Sequence, residues 1–231
     1  MSQTGLSLVF LRDLVESVER QHPAALTRVA LRLPERLVRH LAHRELDAAK
    51  PGDVLAIETG EQLVLGLDAV LGGGSGEPLA DIARDLATRY IAEHKDVILA
   101  GSFHGSMLLQ RAELQRPFVG LNVRVSVERT LFGATLNLGV AGRPEATWIL
   151  SQLARGRARA THRLVRDTTG ESLETYSDVH GDQATLVFRI CRTSRRPDPH
   201  PQSRAAGNSV SESGAKSRTE PGTRIEPRGA A

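Results

Sequence analysis

His40 and His43 stand three residues apart on a segment whose pattern reads as helix, a spacing that turns two imidazoles toward one face and could hold a metal ion. A third ligand is missing: Glu45 falls on another face, and Arg39 and Arg44 flank the pair with positive charge. A solvated helix face is the better account. Asp178 and His180, two apart, would point the same way on a strand, with His162 on a neighbouring one, which is the geometry of an acid–base pair or a metal site. The stretch between them is polar and short of anchors. Cys191 ends the last strand of the chain; a catalytic thiol needs a base and an electropositive setting, and an inert packing thiol fits the position better. His104, between Phe103 and Gly105, could sit in an apolar pocket against haem or another ligand, or be a core or loop histidine.

Two further patterns suggest phosphate or nucleic acid and fail on inspection. Gly72-Gly73-Gly74-Ser75-Gly76 precedes a helix, whose first amides offer themselves to anions. A phosphate loop, however, follows a strand and ends in Gly-Lys-Ser/Thr, whereas here the preceding segment reads as helix and Glu77 would repel phosphate. It reads as a helix-to-helix loop. Arg28, Arg32, Arg36 and Arg39 fall near helical spacing, and Arg155, Arg157, Arg159, Arg163 and Arg166 form a second cluster. Glu35, Glu45, Asp47 and Asp167 dilute both, and aromatics make up only 3% of the chain, so stacking platforms are few. No specific nucleic-acid partner is expected.

The elements that must position these residues change character halfway. Leu8, Leu11, Leu14, Val15 and Val18 recur at spacings of three and four, the stripe of an amphipathic helix over Leu6 to Arg20. Helices follow at Ala24 to Leu33, from Pro34 to about Arg44, at Gln62 to Leu71, from Pro78 through Ile91, and at Ser106 to Leu114. After Gly120 the period falls to two. Val123, Val125 and Val127 alternate with Arg124, Ser126 and Glu128, and Thr135 to Val140 repeats the alternation, so 121–140 reads as a hairpin. Gly142 and Pro144 open a helix with Thr147, Ile149, Leu150 and Leu153 inward. Arg159 to Arg166 and Ala184 to Ile190 read as two further strands around a polar loop containing Gly170 and Gly181. The fold class is α+β: a helical N-terminal half, then a ββαββ antiparallel sheet with its helix on one face.

Charge divides the chain differently. Residues 192–231 carry eight basic and four acidic groups, so the body 1–191 is close to neutral, at −1, and the pI of 9.5 describes a tail. That tail lacks aromatics and is rich in Ser, Pro, Gly and Arg, a composition that cannot bury enough surface to offset chain entropy. A disordered tail on one domain, 1–191, is expected. The body is long enough to bury roughly 70% of its unfolded surface without staples. One cysteine allows no internal disulfide, no run approaches a membrane span, and Leu6 to Leu11 lacks the features of a secretory signal. A cytoplasmic protein without membrane insertion is the expectation.

Residues Leu65 to Tyr90, LGLDAVLGGGSGEPLADIARDLATRY, resemble the segment LD-x-VLG-x-G and following helix of a large paralogous family of uncharacterised myxobacterial proteins. The likeness extends through Arg116, Pro117 and Phe118 to the unit at 132–190. Proteins of that layout are similar to the fold shared by the 4-vinyl reductase small-molecule-binding domain and the haem nitric-oxide-binding domain. The resemblance implies a pocket between helices and sheet, without naming a ligand. The chain departs from the haem proteins in lacking their Tyr-x-Ser-x-Arg porphyrin motif, and from the vinyl-reductase domains in lacking their cysteines.

Without a convergent catalytic set, metal cluster or basic surface, the residues read first as a non-enzymatic regulatory or adaptor protein acting through a protein partner, with no metal or cofactor. The alternative is a sensor that binds a small apolar ligand between helices and sheet, at Phe103, His104, Phe118 and Trp148. An enzyme using His162, Asp178, His180 or Cys191 is the remaining reading.

Overall fold

The computed structural model describes residues 4–41, 46–100, 102–169 and 171–192. Contacts divide the chain into Met1–Ser194 and Arg195–Ala231, and the architecture is that of the first unit. The expectation of a disordered tail falls on residues outside the described ones, as do His43 and Glu45.

The N-terminal half is helical, as its apolar stripes require. Strand β1 (Gly5–Ser7) leads into α1 (Leu8–Gln21), where the Ser7 hydroxyl accepts from the Phe10 amide at 3.4 Å and Leu11, Leu14, Val15 and Val18 are buried. Helices α2 (Ala25–Arg32) and α3 (Glu35–Val38) follow, the latter running into a 3-10 turn at Arg39–Leu41. Strand β2 (Val54–Ala56) precedes α4 (Ile57–Gly72), which stops at Gly73, a glycine in the left-handed region at φ 65°. After the glycine loop, α5 (Glu77–Glu93) has Pro78 in its first turn, where a missing N–H costs nothing. Short helices α6 (Lys95–Ala100), α7 (Phe103–Leu109) and α8 (Arg111–Gln115) lead to β3 (Phe118–Val119). The expected helix from Ser106 to Leu114 is thus broken at Gln110, whose buried side chain donates to Thr161 Oγ1 at 2.6 Å. A small antiparallel sheet, ordered β2-β1-β3, ties this half together. Strands of two or three residues are too short to leave a period in the sequence.

The second half is ββαββ. Strands β4 (Val123–Thr130) and β5 (Gly133–Val140) form the expected hairpin, followed by α9 (Pro144–Thr169), β6 (Glu171–His180) and β7 (Gln183–Arg192). The sheet is antiparallel, in the order β4-β5-β7-β6. One expectation is corrected: residues 159–166 are the last turns of α9, not a strand. Ala154, Ala158 and Thr161 are buried at helical spacing, and no proline interrupts 145–169, so the helix continues through the apparent alternation. The missing strand lies instead in the stretch read as a polar loop. As the sheet's edge, β6 buries only one face and only in part, so its sequence is polar.

The core lies between this sheet and the helices. Ala134, Leu136, Leu138 and Val140 of β5 and Ala184, Leu186 and Phe188 of β7 are buried against Ile149, Leu150, Leu153 and Ala154 of α9, and Met107 of α7 is fully buried beside them.

Candidate functional site

A cavity of about 760 Å³ opens at the end of the four-stranded sheet. Its walls come from the start of α7 (Phe103, His104), the end of β4 and the turn to β5 (Arg129, Phe132), and the end of β7 (Ile190, Cys191). Local causes fix each wall. The Ser102 hydroxyl accepts from the Gly105 amide at 3.1 Å and starts α7, which aims Phe103 inward to meet Phe188 edge-on, with ring centroids 6.0 Å apart. His104 Nε2 lies 3.4 Å from the Val127 carbonyl of β4, a contact that requires the ring to carry its proton on that nitrogen. The Ile190 amide donates to the Phe132 carbonyl at 2.7 Å and holds the β4–β5 turn against β7.

The turn itself is unusual chemically. Two-residue hairpin turns favour Asn, Asp and Gly, yet this one is Leu131-Phe132, with the two side chains 94% and 61% exposed. An apolar pair held in water at a cavity mouth leaves surface for a ligand to cover.

Two of the four residues expected to bind a ligand, Phe103 and His104, therefore share this cavity. Phe118 and Trp148 do not. Phe118 is buried in β3, paired with Leu6 in the small sheet. Trp148, half-buried near the start of α9, packs on Gly76 and lines a separate shallow space with Leu65 and Val179. Arg129, Leu131, Phe132 and Ile190 were missed by sequence reasoning, and the one signal for them was an apolar pair where a turn should be polar.

The enzyme candidates do not converge. His162 is buried in α9, whereas Asp178 and His180 pair at 2.9 Å on exposed β6, 69% and 85% open to solvent. The Cys191 thiol, half-buried, is pushed up from its ordinary pKa by desolvation and by its hydrogen bond to Glu174, which disfavours the thiolate a nucleophile needs. No group of three or more His, Cys, Asp and Glu side chains among the described residues is placed to hold a metal.

Three arginines of the second cluster, Arg155, Arg157 and Arg159, are internal glue. Arg159 donates to Glu77 at 2.7 Å and Arg155 pairs with the same carboxylate, joining α9 to α5. Arg157 lies against Glu113 of α8 at 3.6 Å and over the Tyr90 ring of α5 at 5.6 Å; burial pushes its guanidinium below the ordinary value while Glu113 opposes the shift. The glycine loop is likewise satisfied from within. The buried Asp68 carboxylate accepts from the Gly76 amide at 2.9 Å and the Leu79 amide at 3.3 Å, so the anion at the start of α5 is a side chain of α4.

Comparison with known proteins supports the fold. The H-NOX protein from K. algicida, solved in an Fe(II) unliganded state, superimposes with a TM-score of 0.56 over 82% of this chain and 98% of its own, at 10% identity. A point mutant of T. tengcongensis H-NOX matches with a TM-score of 0.53 over 79% and 94%, at 8% identity, and a structure from work on heme distortion in the H-NOX family gives 0.54 over 79% and 92% at 8%. The chain therefore has the fold of the haem nitric-oxide-binding proteins that its layout resembles. No protein-family model and no curated protein matches it. The first reading, an adaptor acting through protein–protein interaction, is overturned by this likeness: the proteins that share the fold are H-NOX proteins, one described by its iron and ligand state and one by its haem, which favours the small-ligand reading.

The residues present do not fit haem. The helix–sheet interior is filled where Phe103 meets Phe188, and Met107, Leu136, Ile149 and Phe188 are fully buried there. The open space lies outside this packed interface, at the sheet's end.

Proposed function

We propose that the domain is a sensor that binds a small, largely apolar ligand at the mouth between α7 and the end of the four-stranded sheet. The observation that carries this reading is the cavity of about 760 Å³ with Phe103, Phe132 and Ile190 in its walls, within the size range of small-molecule sites. The fold shared with H-NOX proteins supports it, and haem is not the ligand proposed. The reading assigns no catalytic step. It includes one folded domain over 1–191 in the cytoplasm, a placement supported by the lone cysteine. Among the described residues no helix is long and apolar enough to cross a membrane. The likeness of residues 65–90 to the myxobacterial family supports an origin there.

Native mass spectrometry of the full chain purified gently from its host, followed by thermal shift with the compound found, tests this. At a ligand concentration a hundred times Kd, binding contributes about 2.7 kcal/mol, which corresponds to a rise of about 5–11 °C in Tm for a domain of this size. Phe132→Ala abolishes the rise, and Trp148→Ala, which lies outside the cavity, destabilises the protein but preserves it. A chain that carries no added mass, and whose Tm no member of a lipid and cofactor panel raises, refutes the proposal.

A further inference from the structure

We infer that the ligand at this mouth is a monocarboxylate with an apolar body, its carboxylate held by Arg129. The inference rests on the sensor reading and specifies the chemistry of the same site.

Arg129 occupies an odd place. On β4 it follows Val123, Val125 and Val127 at a spacing of two, and these four lie opposite Val140, Leu138, Leu136 and Ala134 of β5, all buried. Arg129 therefore ends an apolar row on the face of the sheet that meets the helices. Arg129 itself is exposed at the end of this row, and its neighbour across the strand pair, Ala134, has the smallest side chain there. No hydrogen bond or ion pair to another described residue engages the Arg129 guanidinium. A planar cation of this kind matches a carboxylate through two parallel hydrogen bonds. Phe103, Phe132 and Ile190 beside it supply the apolar wall for the rest of the molecule.

Of the charged side chains in the described lining, Arg189 alternates with the buried Phe188 and so faces the other side of the sheet, and Glu171 is already engaged by a partner. Arg129 is left as one cation for one anionic group, which suits a singly charged carboxylate better than a doubly charged phosphate. A neutral apolar ligand would leave Arg129 unpaired and partly desolvated beneath it.

The test is calorimetric titration of the full chain with octanoate and with octanol, which share a body and differ in the head, each below its aggregation concentration. Octanoate is expected to bind at least about tenfold more tightly, the effect of one charge-assisted contact. Arg129→Gln should remove that advantage, Arg129→Lys should keep part of it, and Arg124→Gln, on the opposite face of β4, should leave it intact. Equal binding of the two probes, both lost in Phe132→Ala, overturns the carboxylate inference while the sensor reading stands. Undiminished octanoate binding in Arg129→Gln also overturns it. Binding of neither probe overturns this inference, and the sensor reading then falls or stands on its own mass measurement.

Discussion

Replacing Asp68 should cost this fold more than any single surface charge, because its carboxylate holds together the loop between α4 and α5. Asp68 is 2% exposed, and its two oxygens accept separately: Oδ2 from the Gly76 amide at 2.9 Å and Oδ1 from the Leu79 amide at 3.3 Å. In Asp68→Ala both amides stay buried without a partner, at about 1–3 kcal/mol each, and the first turn of α5 loses its anion. Partial relaxation and water entry bring the expected loss to about 3 kcal/mol, or about 6–12 °C in Tm at this chain length. Asp68→Asn keeps one accepting oxygen and turns an amide NH₂ toward the other backbone N–H, so about half that loss is expected. Thermal unfolding followed by circular dichroism, with urea melts to check that the m-value is unchanged, measures both. A Tm for Asp68→Ala within about 2 °C of the parent, or an equal loss in the two variants, would refute the argument that two distinct hydrogen bonds are at stake.

Other substitutions probe the packing and the charges. A Cβ at Gly156 would collide with the Ala80 carbonyl oxygen and lie 2.6 Å from Ala83 Cβ, so Gly156→Ala should push α9 off α5 and destabilise by about 1–3 kcal/mol despite alanine's better helix propensity; a stabilised variant would show that the helices can separate freely. Hydrogen bonds from Arg159 and Arg155 hold the Glu77 carboxyl at about 2, below its ordinary value, so the unfolded chain binds that proton more tightly. The stability that Glu77 contributes is complete above the ordinary carboxylate range and drains away as pH falls toward 2, and Glu77→Gln should flatten the acid limb of a Tm-against-pH curve. Glu61 has the opposite sign. Desolvation pushes its carboxyl up, and Oε1 has no hydrogen-bond partner. Stability tied to its neutral form is present below the ordinary value and lost as pH rises through the raised one, so Glu61→Gln should raise Tm more at neutral pH than in mild acid. A lower Tm at neutral pH would show the charge to be compensated.

Element types were legible wherever a period ran long enough. The stripe from Leu8 to Val18, the alternation from Val123 to Val127 and the break at the glycine run 72–76 reappear as α1, β4 and the end of α4. Misreadings came where burial on one side is partial or where two periods compete. Residues 159–166 carry an alternation that α9 overrides, and β6 is polar because an edge strand has one solvated face and one half-covered one. Of the candidate site, Phe103 and His104 were visible through their apolar setting. Arg129, Phe132 and Ile190 were not, since each looks ordinary within its own element.

By itself, then, the sequence determined the kind of the longer, strongly periodic elements, the near-neutral body and the α+β class, because helical and strand periods are properties of neighbouring residues. Only the tertiary structure decided which residues meet. The cavity joins Phe103, Phe132 and Ile190, brought together by the pairing of β5 with β7 and by the packing of α7 on the sheet. Register is set by hydrogen bonds between strands about fifty residues apart in the chain, and no local pattern records them.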